Sequence, residues 1–262
     1  MSGPAPGAAG GRLAGRVAIV TGSTRGIGQA VAHAFAREGA AIVVSGTREE
    51  TVADCVAAIA AEGGRATGCA VDLGTRAAGD ALVDAALAAF GRLDILVNNA
   101  MLSSTRPLLE LREEDFDREV RVNLRGTVMT TQAAVARVMA PQRSGKIINM
   151  TSHAALRGAP NKTGYASTKA AIAGLTISWA TEFVGLRINV NAVAPAAWTD
   201  SLEALPEARR EKLRDTLARG SVLQRLPRAD DLAGVMTFLA SADSDYLTGQ
   251  IIEANGQAMH LL

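Results

Sequence analysis

Seven short runs of apolar, mostly β-branched residues recur along the chain: VAIV (17–20), AIVVS (41–45), ATGCAV (66–71), DILVN (94–98), KIINM (146–150), INVNAVA (188–194) and QIIEA (250–254). They lack the apolar–polar alternation of strands with one wet face, so they read as strands covered on both sides. Stretches of helical length separate them at 26–38, 49–62, 75–90, 113–140, 164–184 and 229–240. This regular β–α alternation predicts an α/β fold, a doubly wound parallel sheet of about seven strands with helices on both faces and right-handed crossovers. No Pro/Ser-rich linker and no repeat divides it. One domain is expected over 16–262, behind a flexible Gly-, Pro- and Ala-rich lead-in at 1–15.

The rhythm breaks once, at AAWTDSLEALPEARREKLRDTLARGSVLQRL, between INVNAVA and the 229–240 helix. Pro206 and Gly220 carry the start and stop signals of a helix. Leu213 and Leu217 share one face of it, and its other positions are mostly charged. A solvated surface helix would satisfy that pattern. The position after a strand's C-terminus, where such sheets bind ligands, predicts instead a substrate lid at about 196–225.

Composition narrows the function classes. With 48% hydrophobic and 20% charged residues, the 262-residue chain is an ordinary ordered protein. A net charge of +1 provides no field for nucleic acid or an anionic membrane, and no apolar run has the length of a membrane helix. Neither partner is expected. The N-terminus lacks the charged start and apolar run of a signal peptide, which predicts a cytoplasmic protein. Cys55 and Cys69 are expected as free thiols in a helix and a strand. No His/Cys/Asp group has metal-ligand spacing, so no metal is expected. Positive charge is almost all arginine; the lysines are Lys146, Lys162, Lys169 and Lys212. Each lysine therefore asks for an explanation.

After VAIV comes Thr21-Gly22-Ser23-Thr24-Arg25-Gly26-Ile27-Gly28, and a helix follows at once. Glycines there permit the tight turn and let the backbone approach a pyrophosphate seated on the helix's N-terminal amides. The TGxxxGxG spacing resembles the short-chain dehydrogenase/reductase family in its compact form, in particular ketoreductases of the 3-oxoacyl-carrier-protein reductase type. The resemblance covers nearly the whole chain after residue 15. It implies a single-domain Rossmann fold holding a nicotinamide cofactor through Gly22, Thr24, Arg25, Gly26, Ile27 and Gly28. Asp72-Leu73 is similar to the family's adenine-contacting pair. Asn98-Asn99-Ala100 matches its NNAG, with Met101 in place of the glycine. Gly46 stands where NAD-using members place an aspartate, Thr47 and Arg48 follow, and Arg25 stands where NADP-preferring relatives carry a basic residue. Two arginines without an acid predict NADP(H) over NAD(H). Glu49 and Glu50 are expected to open the next helix, where the macrodipole favours acids.

Tyr165 and Lys169, at i and i+4, share one face of a helix. Free tyrosine titrates near pH 10 and is a poor base at neutral pH. A neighbouring ammonium favours the phenolate. Lowering the pKa by ~3 units requires about 4 kcal/mol, more than one water-screened charge supplies, so a reactive pair needs helpers in a desolvated site. The resemblance implies them. Ser152, thirteen residues before Tyr165, aligns with the serine that hydrogen-bonds the reacting carbonyl. Asn123, in VRVNLRG, aligns with the asparagine that links a water to the lysine in a proton relay. The implied catalytic tetrad is Asn123, Ser152, Tyr165 and Lys169, with Tyr165 moving the proton and Lys169 also binding ribose hydroxyls.

The chain departs from the family after the sixth strand. Its PG becomes Pro195-Ala196, and Trp198 fills the aliphatic position beside the nicotinamide amide. The family's threonine aligns with Asp200 unless Thr199 substitutes for it. Pro195 and Trp198 are the expected cofactor contacts here, and Trp198 is also a candidate substrate wall. Met101 is a second candidate; His153 is a third, as a substrate contact or a packed neighbour of the site. The loop HAALRGAPNKTG is expected to wall the pocket. His33 and His260 are assigned to structure or surface. The tail TGQIIEANGQAMH stands where relatives often read VDGG, and the resemblance implies a homotetramer or homodimer. The expected function is NADP(H)-dependent interconversion of a small or acyl-chain carbonyl compound, a ketone, and its secondary alcohol. Alternatives are an NAD-dependent dehydrogenase of a sugar or cyclic alcohol, an epimerase or dehydratase, and a non-catalytic nucleotide sensor. Glycine spacing and chain length count against the epimerase, and the complete tetrad counts against the sensor.

Overall fold

The structure, a computed structural model, describes residues 10–195, 206–225 and 228–256. Seven strands form one all-parallel sheet in the order β3-β2-β1-β4-β5-β6-β7. They are β1 (Val17–Val20), β2 (Ala41–Gly46), β3 (Arg65–Ala70), β4 (Ile95–Asn98), β5 (Gly145–Met150), β6 (Ile188–Pro195) and β7 (Ile251–Ala254). The apolar runs are strands because parallel pairing buries both faces. In β1, Ala18 and Val20 point into one core layer with Val31, Phe35 and Met236, while Val17 and Ile19 point into the other with Leu82, Val138 and Phe183. The edge strands β3 and β7 are only partly covered.

Helices α1 (Gly26–Arg37), α2 (Glu49–Ala61) and α3 (Ala78–Phe90) follow the first three strands. Glu49 and Glu50 do open α2. The helix expected from 75 starts later, because Asp72 folds the chain back on itself: its carboxylate accepts the Gly74 N–H at 2.8 Å and its carbonyl the Thr75 N–H at 2.9 Å. After β4, α4 (Glu113–Glu119) continues through a π-helical turn (Val120–Gly126) into α5 (Thr127–Ala134), a second π turn (Val135–Met139) and α6 (Ala140–Gln142). The uniform helix expected over 113–140 thus carries two widened turns, the first holding Asn123.

Two other expectations need revision. The loop expected after Ser152 opens with a helix, α7 (His153–Arg157), because the Ser152 hydroxyl caps it by accepting the Ala154 N–H at 3.1 Å. The stretch expected as a helix from 229 begins as a 3₁₀ turn (Ala229–Leu232), where Asp231 accepts the Arg228 N–H at 2.7 Å, before α10 (Ala233–Ala240). Between them lie α8 (Thr163–Glu182) and α9 (Glu207–Gly220). Both cysteines are free thiols, and no described helix is long and apolar enough to cross a membrane.

The sheet's centre is pinned at one point. Buried Asp94, just before β4, accepts from the Val17 N–H of β1 at 2.9 Å, from Arg92 Nε and Nη2 at 2.8 and 2.6 Å, and from Arg16 at 3.1 Å. Asp94→Ala strands a buried N–H, so it should lower stability by about 1–3 kcal/mol, read from the urea midpoint. Asp94→Asn should lose less, since its amide oxygen still serves Val17.

Candidate active site

All seven strands end at one edge, and the strand order reverses between β1 and β4. Ligands bind at such a switch point. A trench of about 360 Å³ lies there, and the expected Gly22, Thr24, Arg25, Gly26, Ile27 and Gly28 form one wall. Side chains behind the wall hold the loop's shape. The Thr21 hydroxyl accepts the Asn99 and Ala100 N–H groups at 2.9 and 3.0 Å, and the Asn99 amide donates to the Thr21 and Gly22 carbonyls at 2.9 and 3.1 Å. A side chain at Gly28 would run into that Asn99 amide and the Gly22 carbonyl. The backbone cradle at the α1 N-terminus therefore exists because residue 28 has no Cβ, and it fits a pyrophosphate.

Thr47, Asp72, Leu73, Ala100 and Pro195 also line the trench. Arg48, exposed, is the residue before α2. Arg118, Arg121 and Val122 line it too, and sequence reasoning missed them. Their spacing places them on one face of the helix that carries Asn123, which was the available signal.

Ser152, Tyr165 and Lys169 meet where β5 ends and α8 begins. Lys169 is 3% exposed, and its ammonium donates to the Met150 carbonyl at 2.6 Å. The Thr151 hydroxyl donates to the Lys169 carbonyl at 2.8 Å, tying strand end to helix. The ammonium stands 6.0 Å from the centre of the Tyr165 ring. Burial pushes the Tyr165 phenol above its ordinary pKa; a hydrogen bond with Ser152 pulls it down, and the charge of Glu119 adds an upward push. Burial alone brings Lys169 down from 10.5 to about 8.

Asn123 is buried in the π turn. Its side-chain oxygen accepts the Leu102 N–H at 2.7 Å, and its amide donates to the Leu102 carbonyl at 2.8 Å and to Thr168 Oγ1 at 3.2 Å. The side chain clamps the loop after β4 onto α8. Met101, 46% exposed, lines the trench. The His153 ring meets Asn255 at 3.4 Å and Glu253 at 3.8 Å, at the end of β7. Trp198, Thr199, Asp200 and His260 lie outside the described residues, as does the 196–205 part of the expected lid. His33 bonds Glu62 at 2.9 Å. Among the described residues no cluster of His, Cys, Asp and Glu could hold a metal.

Comparison with known proteins agrees with this geometry. Residues 22–256 match the family model described as enoyl-(acyl carrier protein) reductase. A 3-oxoacyl-[acyl-carrier-protein] reductase of Thermotoga maritima is 37% identical over 94% of this chain and 98% of its own. A sorbitol dehydrogenase of Cereibacter sphaeroides is 38% identical over the same shares. The crystal structure of a 3-oxoacyl (acyl-carrier-protein) reductase from Agrobacterium tumefaciens with NADP bound superposes with a TM-score of 0.87, at 33% identity over 93% of this chain and 94% of that one. The chain belongs to the short-chain dehydrogenase/reductase family. It is an oxidoreductase acting on an alcohol or carbonyl group.

A buried ammonium is a burden on the cofactor-free fold. Between about pH 8 and 10.5 the unfolded chain holds the Lys169 proton and the folded chain does not, so stability rises with pH across that window. Below it the folded state carries the full penalty. Lys169→Met should therefore stabilise the cofactor-free protein at pH 7 by up to about 3 kcal/mol, and the gain should fade toward pH 10.5. Chemical denaturation at a series of pH values checks this.

Proposed function

We propose that the protein is an NADP(H)-dependent ketoreductase, interconverting a ketone and a secondary alcohol. The observation that carries the reading is the convergence of Ser152, Tyr165 and Lys169 beside the glycine-loop trench. When bound, the nicotinamide supplies or accepts the hydride. The Ser152 hydroxyl holds the substrate oxygen, and Tyr165 passes the proton between its phenol and that oxygen. The Lys169 ammonium favours the phenolate that remains and offers donors to ribose hydroxyls. Asn123 acts by fixing the Leu102 loop against α8.

Preference for NADP(H) is supported by Arg25 and Arg48. Both are exposed, neither has an ionic partner among the described residues, and Gly46, which lines the trench with Arg25, brings no acid. A guanidinium pair suits a dianionic 2′-phosphate. The Agrobacterium reductase with NADP bound points the same way. A cytoplasmic assembly of four (or two) copies belongs to the same reading: Leu109, Ile177 and Val184 are exposed apolar side chains, as subunit contacts would be before assembly, and Cys55 and Cys69 are free.

NADPH should bind more tightly than NADH by fluorescence titration, and Arg48→Ala should narrow the difference; equal affinities in the wild type would overturn the preference. Tyr165→Phe should cut turnover about 10²–10⁴-fold while leaving NADPH binding nearly intact. Full activity in that variant would overturn the mechanism.

A further inference from the structure

Next to the Ser152–Tyr165–Lys169 group lies a charged cluster that the proton transfer leaves unused. Lys162, half-buried, immediately precedes α8. Its ammonium donates to Ser103 Oγ at 2.8 Å and stands 6.0 Å from the centre of the Tyr165 ring. Among the described residues it forms no ion pair. Behind it is Glu119, 2% exposed, whose Oε1 accepts the Ser104 N–H and whose Oε2 has no hydrogen-bond partner. That oxygen lies against Gly164, where any Cβ would collide with it. Burial lowers the Lys162 pKa, the Glu119 charge opposes that, and Arg209 on α9 lowers it further.

The arrangement is short of an anion. A half-desolvated ammonium whose hydrogen bond goes to a neutral hydroxyl gains from any carboxylate placed against it. The anion would sit near the reacting oxygen. The ammonium stands 6.0 Å from the centre of the tyrosine ring and reaches about 2.9 Å by hydrogen bond, so a substrate that meets both Tyr165 and Lys162 is a short one.

We propose that Lys162 binds a carboxylate on the substrate, so that this enzyme acts on short 2- or 3-oxo acids and the matching hydroxy acids. The inference rests on the ketoreductase reading and names its substrate class. Glu119 acts through Lys162 as a positioning residue: its charge favours the ammonium form and its Oε1 holds the Ser104 backbone in place.

The test compares reduction of 2-oxobutanoate and acetoacetate with that of their methyl esters. The wild type should favour the acids at least tenfold in kcat/KM. Lys162→Gln should lower that ratio at least tenfold, and Lys162→Arg should keep most of it. As a readout independent of turnover, acetoacetate should raise the Tm of the wild type with NADP⁺ present, and do so less for Lys162→Gln. Esters reduced as well as acids, or a ratio unchanged in Lys162→Gln, would overturn the inference. Reduction of esters and neutral ketones with none of either acid leaves the ketoreductase reading standing and this inference overturned. No turnover of any carbonyl or alcohol with either nicotinamide overturns both.

Discussion

A strand lying parallel to its neighbour cannot be reached by a hairpin; the chain must cross back over a face of the sheet. The rest of this molecule follows from that constraint. Each crossover lays a helix on the sheet and buries side chains of both parities, as in β1. Each also returns the chain so that every strand ends at the same edge. The glycine loop, Asp72, Asn99, Ser152 and Pro195 are far apart in sequence and close in space because each follows or ends a strand. The edge carries helix N-termini and unpaired backbone groups, so polar chemistry can be held there without disturbing the two apolar layers.

What holds the edge in shape is side chain bonded to backbone. Thr21 and Asn99 lock the glycine loop to the end of β4. Asn123 locks the next loop to α8, and Thr151 locks β5 to the turn that carries Lys169. These polar groups are satisfied, and being buried they have few alternative partners, which favours one loop conformation over others. Lys169 is the exception in kind. Its charge is carried in a desolvated place where burial opposes it.

The strands and most helices were legible because pattern and propensity act locally. TGxxxGxG and the spacing of Ser152, Tyr165 and Lys169 were legible because their geometry depends on one turn or one helix. Misreadings arose where a single side chain overruled the pattern: Asp72 delayed α3, Ser152 capped a helix inside an apparent loop, and Asp231 shaped a 3₁₀ turn. Arg118, Arg121 and Val122 had a helical spacing that could have revealed them. Lys162 had only the scarcity of lysine to mark it, and Glu119 looked like one more acid in an acidic helix.

The sequence by itself determined the layer architecture, the parallel sheet, the glycine turn and the family, since each is written in local periodicity or in short fixed spacings. Tertiary structure alone decided which groups share an environment. It turned the Asn123 amide to the Leu102 backbone, buried Glu119 against Gly164, and brought Lys162 over Tyr165. Burial and electrostatic interaction depend on distances between side chains brought together by separate crossovers, and no local pattern in the chain encodes those distances.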